Sequence, residues 1–182
     1  TARHHHHFGR WGRSGAGKSY LVKLEALRSL YQGTEVAIID PEDEYARLAG
    51  AVGGTYFPLG IEGIHLNPLD LPIHTGPDGL RSAPADSLTR RSLFLHTLLS
   101  VLFGHSLSAD ERAVLDQAVT ATYQQAGILT DDSRTWTRPA PLLSDLRAVL
   151  NQSDDDTARD VASRLHPFTE GAFSGLFAGP TT

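Results

Sequence analysis

The stretch Gly12-Arg-Ser-Gly-Ala-Gly17-Lys18-Ser19 constrains this chain more than any other. It fits the pattern G-x-x-x-x-G-K-[ST]. Glycines at these positions let successive backbone N–H groups turn inward and form an anion-binding concavity. A lysine placed as Lys18 reaches the outer phosphates of a nucleoside triphosphate, and a hydroxyl placed as Ser19 holds the accompanying Mg²⁺. A helix opening near Lys18 would aim its positive end at the same phosphates. The pattern therefore predicts ATP and Mg²⁺ as ligands. Gly12, Ser14, Gly15, Ala16, Gly17, Lys18, Ser19 and Tyr20 form the expected nucleotide site, with Ser19 as metal ligand and Lys18 as the catalytic cation. A flexible Gly/Ser loop can match by chance, but this one runs straight into helical spacing.

That spacing is set by Tyr20, Leu24, Leu27 and Tyr31, which recur every three or four residues and predict one apolar helical face. Gly33 is the stop signal. Glu35-Val-Ala-Ile-Ile39 is a short, nearly continuous apolar run, the signature of a strand buried on both faces. Loop, helix, glycine and strand together predict an α/β unit with a parallel sheet. Asp40, Glu42 and Glu44 follow at the carboxyl end of that strand, where ligands of open α/β sheets bind. They can address Mg²⁺ or an attacking water, which makes Glu42 and Glu44 candidate catalytic residues. Equally, Asp40 and Pro41 can end the strand while the two glutamates start an acidic helical turn.

Ahead of the loop, residues 1–11 contain no apolar run, so the strand that usually supports such a loop is missing or replaced. His4 to His7 could ligate a transition metal, but the tract reads better as a disordered or tag-like leader. After Tyr45 a short helix is expected, ended by Gly50, Gly53 and Gly54. Thr55–Phe57 and Ile64–Leu66 read as short strands, and Asn67-Pro-Leu-Asp70 as turn chemistry. His65, a lone histidine between apolar residues, reads as structural. Residues 75–85 shift to Gly, Pro, Ser and Asp, a linker composition.

Beyond the linker the chain turns helical. Leu88–Phe103 is strongly apolar yet too short to span a bilayer, and Gly104 ends it. Ser108-Ala-Asp-Glu111 is a capping box for a helix reaching about Gln125, and Gly127 stops that helix. A polar loop carrying Trp136 leads to a helix over Leu143–Leu150. Another helix runs from Asp154 to about Phe168, with Asp154–Asp156 as its acidic start rather than a metal site. The resulting division is 1–11 leader, 12–74 α/β segment, 75–85 linker, 86–170 all-helical subdomain and 171–182 return segment to the α/β core.

The 182 residues carry a formal charge of −5, which excludes a global basic footprint for nucleic acid. Arg81, Arg90 and Arg91 are a modest basic cluster that reads as solvated helix-start charge. With no cysteine, disulfides and thiolate metal sites are excluded. No apolar segment is long enough to span a membrane, and no signal peptide is visible.

Taken in order, the phosphate loop, Ile38-Ile-Asp-Pro-Glu-Asp-Glu-Tyr45 and Asn67-Pro-Leu-Asp70 resemble the VirB/TraC-type ATPases of type IV secretion and conjugative transfer, within the HerA–FtsK group. Gly53–Leu59, Leu107–Tyr123, Pro141–Leu146 and Phe173–Thr181 extend the likeness. The resemblance implies a P-loop NTPase of class α/β, with an incomplete parallel sheet and an all-α subdomain. It also implies a hexameric cytoplasmic motor, peripheral at the inner face of the membrane. Such a motor has other channel subunits as partners and couples ATP hydrolysis to protein or DNA transfer. By position, Lys18 and Ser19 carry over as phosphate and Mg²⁺ residues, and Glu42 and Glu44 only as neighbours of the active site.

The family's second acidic strand and its trans-acting arginine have no counterpart here. The expectation is therefore a central fragment that binds nucleotide but hydrolyses it weakly or not at all. The alternative is a non-enzymatic module that docks other proteins through Leu93–Phe103. A small-molecule kinase with residues 86–170 as its lid is a third, weaker reading.

Overall fold

The structure, a computed structural model, describes residues 18–61 and 63–182. The chain divides into two compact units, residues 1–57 and 58–182.

Among the described residues of the first unit are two helices, α1 (Lys18–Tyr31) and α2 (Ala46–Ala51). Helix α1 begins where the phosphate-loop pattern predicts, and Gly33, in the left-handed region at φ 76°, follows it. The predicted apolar face is not the buried one. Ala26 is covered, whereas Tyr20 is 69% and Tyr31 94% exposed. An apolar stripe is buried only where a second apolar surface meets it, and within residues 18–57 none covers these rings.

The expected strand Glu35–Ile39 is not a strand. The segment is irregular, its apolar side chains face solvent, and Ile39 is 96% exposed. A strand buried on both faces needs a neighbour on each edge, and among the described residues none lies beside it. The predicted parallel sheet is likewise absent from the described residues, where the one sheet is a two-stranded antiparallel hairpin. Thr55–Phe57 is also irregular.

The second unit is helical. A hairpin of β1 (His74–Thr75) and β2 (Arg81–Ser82) occupies the stretch whose composition suggested a linker. Four longer helices follow: α3 (Ser87–Phe103), α4 (Ala109–Gln125), α5 (Leu143–Asn151) and α6 (Asp156–Thr169). A one-turn helix, α7 (Ser174–Phe177), closes the chain. Gly104 caps α3 at φ 75°, a backbone that favours glycine. The Ser108–Glu111 capping box forms as predicted: Glu111 N donates to Ser108 Oγ at 3.1 Å, and Ser108 N donates to Glu111 Oε2 at 2.7 Å. Asp155 caps α6 by accepting from Thr157 N at 2.7 Å, so the Asp154–Asp156 run is a helix start.

Helices α4, α5 and α6 pack around one core. Leu115, Leu143, Leu146, Leu150, Val161 and Leu165 lie at its centre, and Leu69, Leu95, Leu99 and Ile128 extend it. Trp136 sits in a 3-10 turn (Ser133–Thr137) rather than an irregular loop. Its ring is buried and its Nε1 donates to Leu129 O at 2.6 Å. Ile64–Leu66 forms no strand, but it lies against the chain's end: Leu66 N donates to Leu176 O at 2.8 Å and Thr182 N to His65 O at 3.2 Å.

Candidate functional site

In the first unit the site can be built from α1 outward. Gly12, Ser14, Gly15, Ala16 and Gly17 lie outside the described residues, as do His4 to His7. Lys18 is the first residue of α1, and Ser19, the second, is half-buried. Both therefore occupy the helical turn whose unpaired N–H groups carry the positive end of the dipole. Tyr20 is exposed.

The acidic turn after Ile39 is built around Asp40. Its Oδ2 accepts from Tyr45 N at 2.8 Å. Partial desolvation works to raise the Asp40 carboxyl. The amides of Tyr45, Glu44 and Glu42, together with the charge of Lys23, outweigh it and hold the group below the usual aspartate range. Asp40 ends no strand, and Glu42 and Glu44 lie ahead of α2, whose first turn holds no acidic residue; the Asp40 carboxylate instead accepts from backbone amides of its own turn. Glu42 and Glu44 are exposed within the turn and precede α2.

Two residues that the sequence reading passed over join this neighbourhood. The Lys23 ammonium sits 5.0 Å from the centre of the Tyr45 ring, bringing the second turn of α1 against the acidic turn. Tyr56 donates its hydroxyl to Asp43 Oδ1 at 2.7 Å, and that hydrogen bond raises the phenol above its ordinary value. Asp43 itself adopts φ 53°, a left-handed conformation that aspartate tolerates better than most residues. Lys23 carried a weak signal, a cation off the apolar stripe of a helix beginning at the loop. Tyr56 carried none, because its partner is set by a turn. Among the described residues no cluster of three or more His, Asp or Glu side chains is placed to hold a metal.

In the second unit, Asn67-Pro-Leu-Asp70 is a packing hub rather than a simple turn. Asn67 is buried and all its side-chain groups are paired. Nδ2 donates to Asp70 Oδ1 at 3.0 Å and to Pro141 O at 3.0 Å, while Oδ1 accepts from Leu69 N at 3.1 Å. Tyr123 donates its hydroxyl to Leu69 O at 2.6 Å. His65 is structural, as its apolar setting predicted, with Nδ1 2.8 Å from Gly175 O.

The basic cluster disperses. Arg90 pairs with Asp86 at 2.6 Å, while Arg91 donates to Pro68 O at 3.2 Å and lies over the Phe94 ring. On α3, Leu93, Phe94 and Val101 face solvent, and Val101 is 73% exposed. Among the described residues no helix is long and apolar enough to cross a membrane.

No curated protein matches the chain in sequence. Seven chains of solved structures match it. One is VirB4 of Thermoanaerobacter pseudethanolicus, with a TM-score of 0.70 and 29% identity over 93% of this chain and 44% of that one. This chain therefore spans less than half the length of that VirB4, and the likeness implies a P-loop NTPase fold. The pattern describing the central domain of the helicase HerA matches residues 4–176, nearly the full length, and the chain belongs to that family.

Proposed function

We propose that this chain is the nucleotide-binding part of a motor ATPase of the type IV secretion and conjugation class. In it, Gly12–Ser19 cradles the phosphates of ATP, Lys18 neutralises their charge and Ser19 holds Mg²⁺. The observation that carries the reading is membership of the HerA central-domain family over residues 4–176, with α1 opening at Lys18 at the end of the phosphate-loop pattern. A half-buried hydroxyl in the first turn of that helix suits a Mg²⁺ ligand. Asp40, already engaged by backbone amides, suits it less. When bound, Mg²⁺ would neutralise charge on the β- and γ-phosphates. The chain's own residues would hold and orient the triphosphate.

Efficient hydrolysis uses a residue that places the attacking water and a further cation, supplied in cis or in trans. Glu42 and Glu44 are the carboxylates that the resemblance places beside the site, and both are exposed. We therefore assign the chain nucleotide binding with weak or no turnover of its own. Hexamer assembly, cytoplasmic placement at the membrane and transfer of DNA or protein belong to the whole motor. Calorimetric titration with ATP and Mg²⁺ tests the reading: binding that disappears in Lys18→Ala supports it, and no binding by the wild-type chain overturns it.

One observation favours a second reading, a docking module without catalysis. The solvent-facing residues Leu93, Phe94 and Val101 of α3 give an apolar stripe such a module would use.

A further inference from the structure

A cleft of about 340 Å³ opens in the second unit between one extended stretch and the end of the 3-10 turn with the residues that follow it. One wall is Asp70–Ile73 with Arg81 of β2, and the other is Trp136–Ala140. The open backbone groups along its walls suit an extended segment rather than a helix, whose own amides and carbonyls are paired internally.

Three observations point to such an occupant. First, the walls offer backbone groups that the fold leaves open. Gly76 N donates to Leu80 O at 2.8 Å, which sets the alternation of the hairpin. His74 and Ser82 then exchange the ladder bonds, while Ile73 turns its own N–H and C=O away from β2. Opposite, Arg138 has the extended backbone φ −68°, ψ 158°. Among the described residues the amides of Ile73 and Ala140 have no backbone acceptor.

Second, the cleft is cationic. Arg81 and Arg138 both line it, and among the described residues no carboxylate stands within ion-pair distance of either. Arg138 spends one N–H on Gly127 O at 2.7 Å and keeps the rest of its fork. The carboxylate of Asp70, which accepts from Asn67, also borders the cleft, so its lining carries two positive charges against one negative. Third, the remaining surface is apolar, from Leu71, Ile73 and Pro139.

We infer that this cleft binds an extended acidic peptide of a partner protein, paired along Ile73 or Ala140, with its carboxylates on Arg81 and Arg138. The mode is addition of a strand to an open backbone edge, with side-chain charge supplying specificity. A single-stranded nucleic acid fits less well. Trp136 is buried with its N–H committed to Leu129, so it offers no face for base stacking.

Fluorescence anisotropy of the full chain tests this with three labelled probes: an alternating Val–Glu octapeptide, its Val–Lys counterpart, and oligothymidylate. The Val–Glu peptide should bind most tightly. Arg81→Glu and Arg138→Glu should each weaken it about tenfold, the loss of one charge-assisted pair. Circular dichroism checks that the variants fold. A Val–Glu peptide N-methylated at alternate amides should bind about tenfold more weakly to the unaltered protein, which reports strand pairing without a mutation. No binding of the Val–Glu peptide, equal binding of the Val–Lys peptide, tighter binding of oligothymidylate, or indifference to N-methylation would each overturn the assignment.

Discussion

The side-chain amide of Asn67 donates to the carbonyl oxygen of Pro141 at 3.0 Å, across 74 residues of sequence. The bond joins the Asn-Pro-Leu-Asp segment to the chain just before α5. Since Asn67 also accepts from Leu69 N at 3.1 Å, one side chain satisfies two buried backbone groups in different segments. Asn67→Ala would leave both unpaired, at ~1–3 kcal/mol each. The expected loss is about 2–4 kcal/mol. At roughly 2–4 °C per kcal/mol for a chain of this size, thermal unfolding should shift down by roughly 5–15 °C. An unchanged melting temperature would mean that the hub is ornamental.

Glu111 couples the start of α4 to acid stability. The Ser108 amide is the main influence holding its carboxyl low. Burial opposes it, and the Ser108 side chain and the charges of Arg164 and His105 add to it. Arg164 lies 2.9 Å from Glu111 Oε1. A carboxyl held below its unfolded value contributes stability above that value and loses it as the pH falls through the folded one. Glu111→Gln keeps the shape but not the charge, and should cost about 1 kcal/mol at pH 7. The gap between variant and wild type should shrink as the pH falls below the ordinary glutamate value and through the lowered folded one. Urea unfolding at neutral and acid pH reads this directly.

The capping box was legible in the sequence because all its partners lie within three residues of Ser108. The same holds for Gly104 ending α3 and for Asp155 opening α6. The helical half of the chain was readable for that reason. The strand over Glu35–Ile39 was not, because an apolar run states a propensity to pair and says nothing of whether a neighbour is present. The stripe on α1 failed on similar grounds: spacing defines a face, but burial needs an opposing surface. For the candidate site, the position of Lys18 and Ser19 at a helix start was readable from the loop pattern. The capture of Asp40 by the Tyr45 amide was neither of the two open readings, because it depends on a turn that replaced the expected strand end. The role of Asn67 was hidden because Pro141 is remote in sequence.

Tyr123 carries a prediction on the alkaline side. Its hydroxyl donates to Leu69 O at 2.6 Å, and burial pushes it well above the ordinary tyrosine value, with Arg91 opposing and Asp70 adding slightly. Tyr123→Phe leaves that carbonyl unpaired and should cost about 1–2 kcal/mol at pH 7. A raised acid of this kind contributes stability below its unfolded pKa and loses it as the pH rises further, because the unfolded chain ionises first. The wild-type advantage should therefore narrow above about pH 10. Denaturant unfolding at pH 7, 9 and 10.5 checks the direction. A gap that widens with pH would contradict the assignment.

Ser19 and Asp40 separate a metal-binding role from an architectural one. Ser19 stands in the first turn of α1, whereas the Asp40 carboxylate is already engaged by Tyr45 N at 2.8 Å. If Ser19 holds Mg²⁺, Ser19→Ala should abolish the difference in ATP affinity between Mg²⁺ and EDTA, a loss of about tenfold or 1.4 kcal/mol. Asp40→Asn retains an acceptor oxygen for the turn, so its affinity for Mg²⁺-ATP should stay within about twofold of wild type. Asp40→Ala removes the acceptor, and faster amide exchange at Tyr45 should report the loosened turn. Calorimetry on all three variants decides between the roles. Asp40→Asn weakening Mg²⁺-ATP as much as Ser19→Ala would place the metal on the carboxylate and return Asp40 to the site.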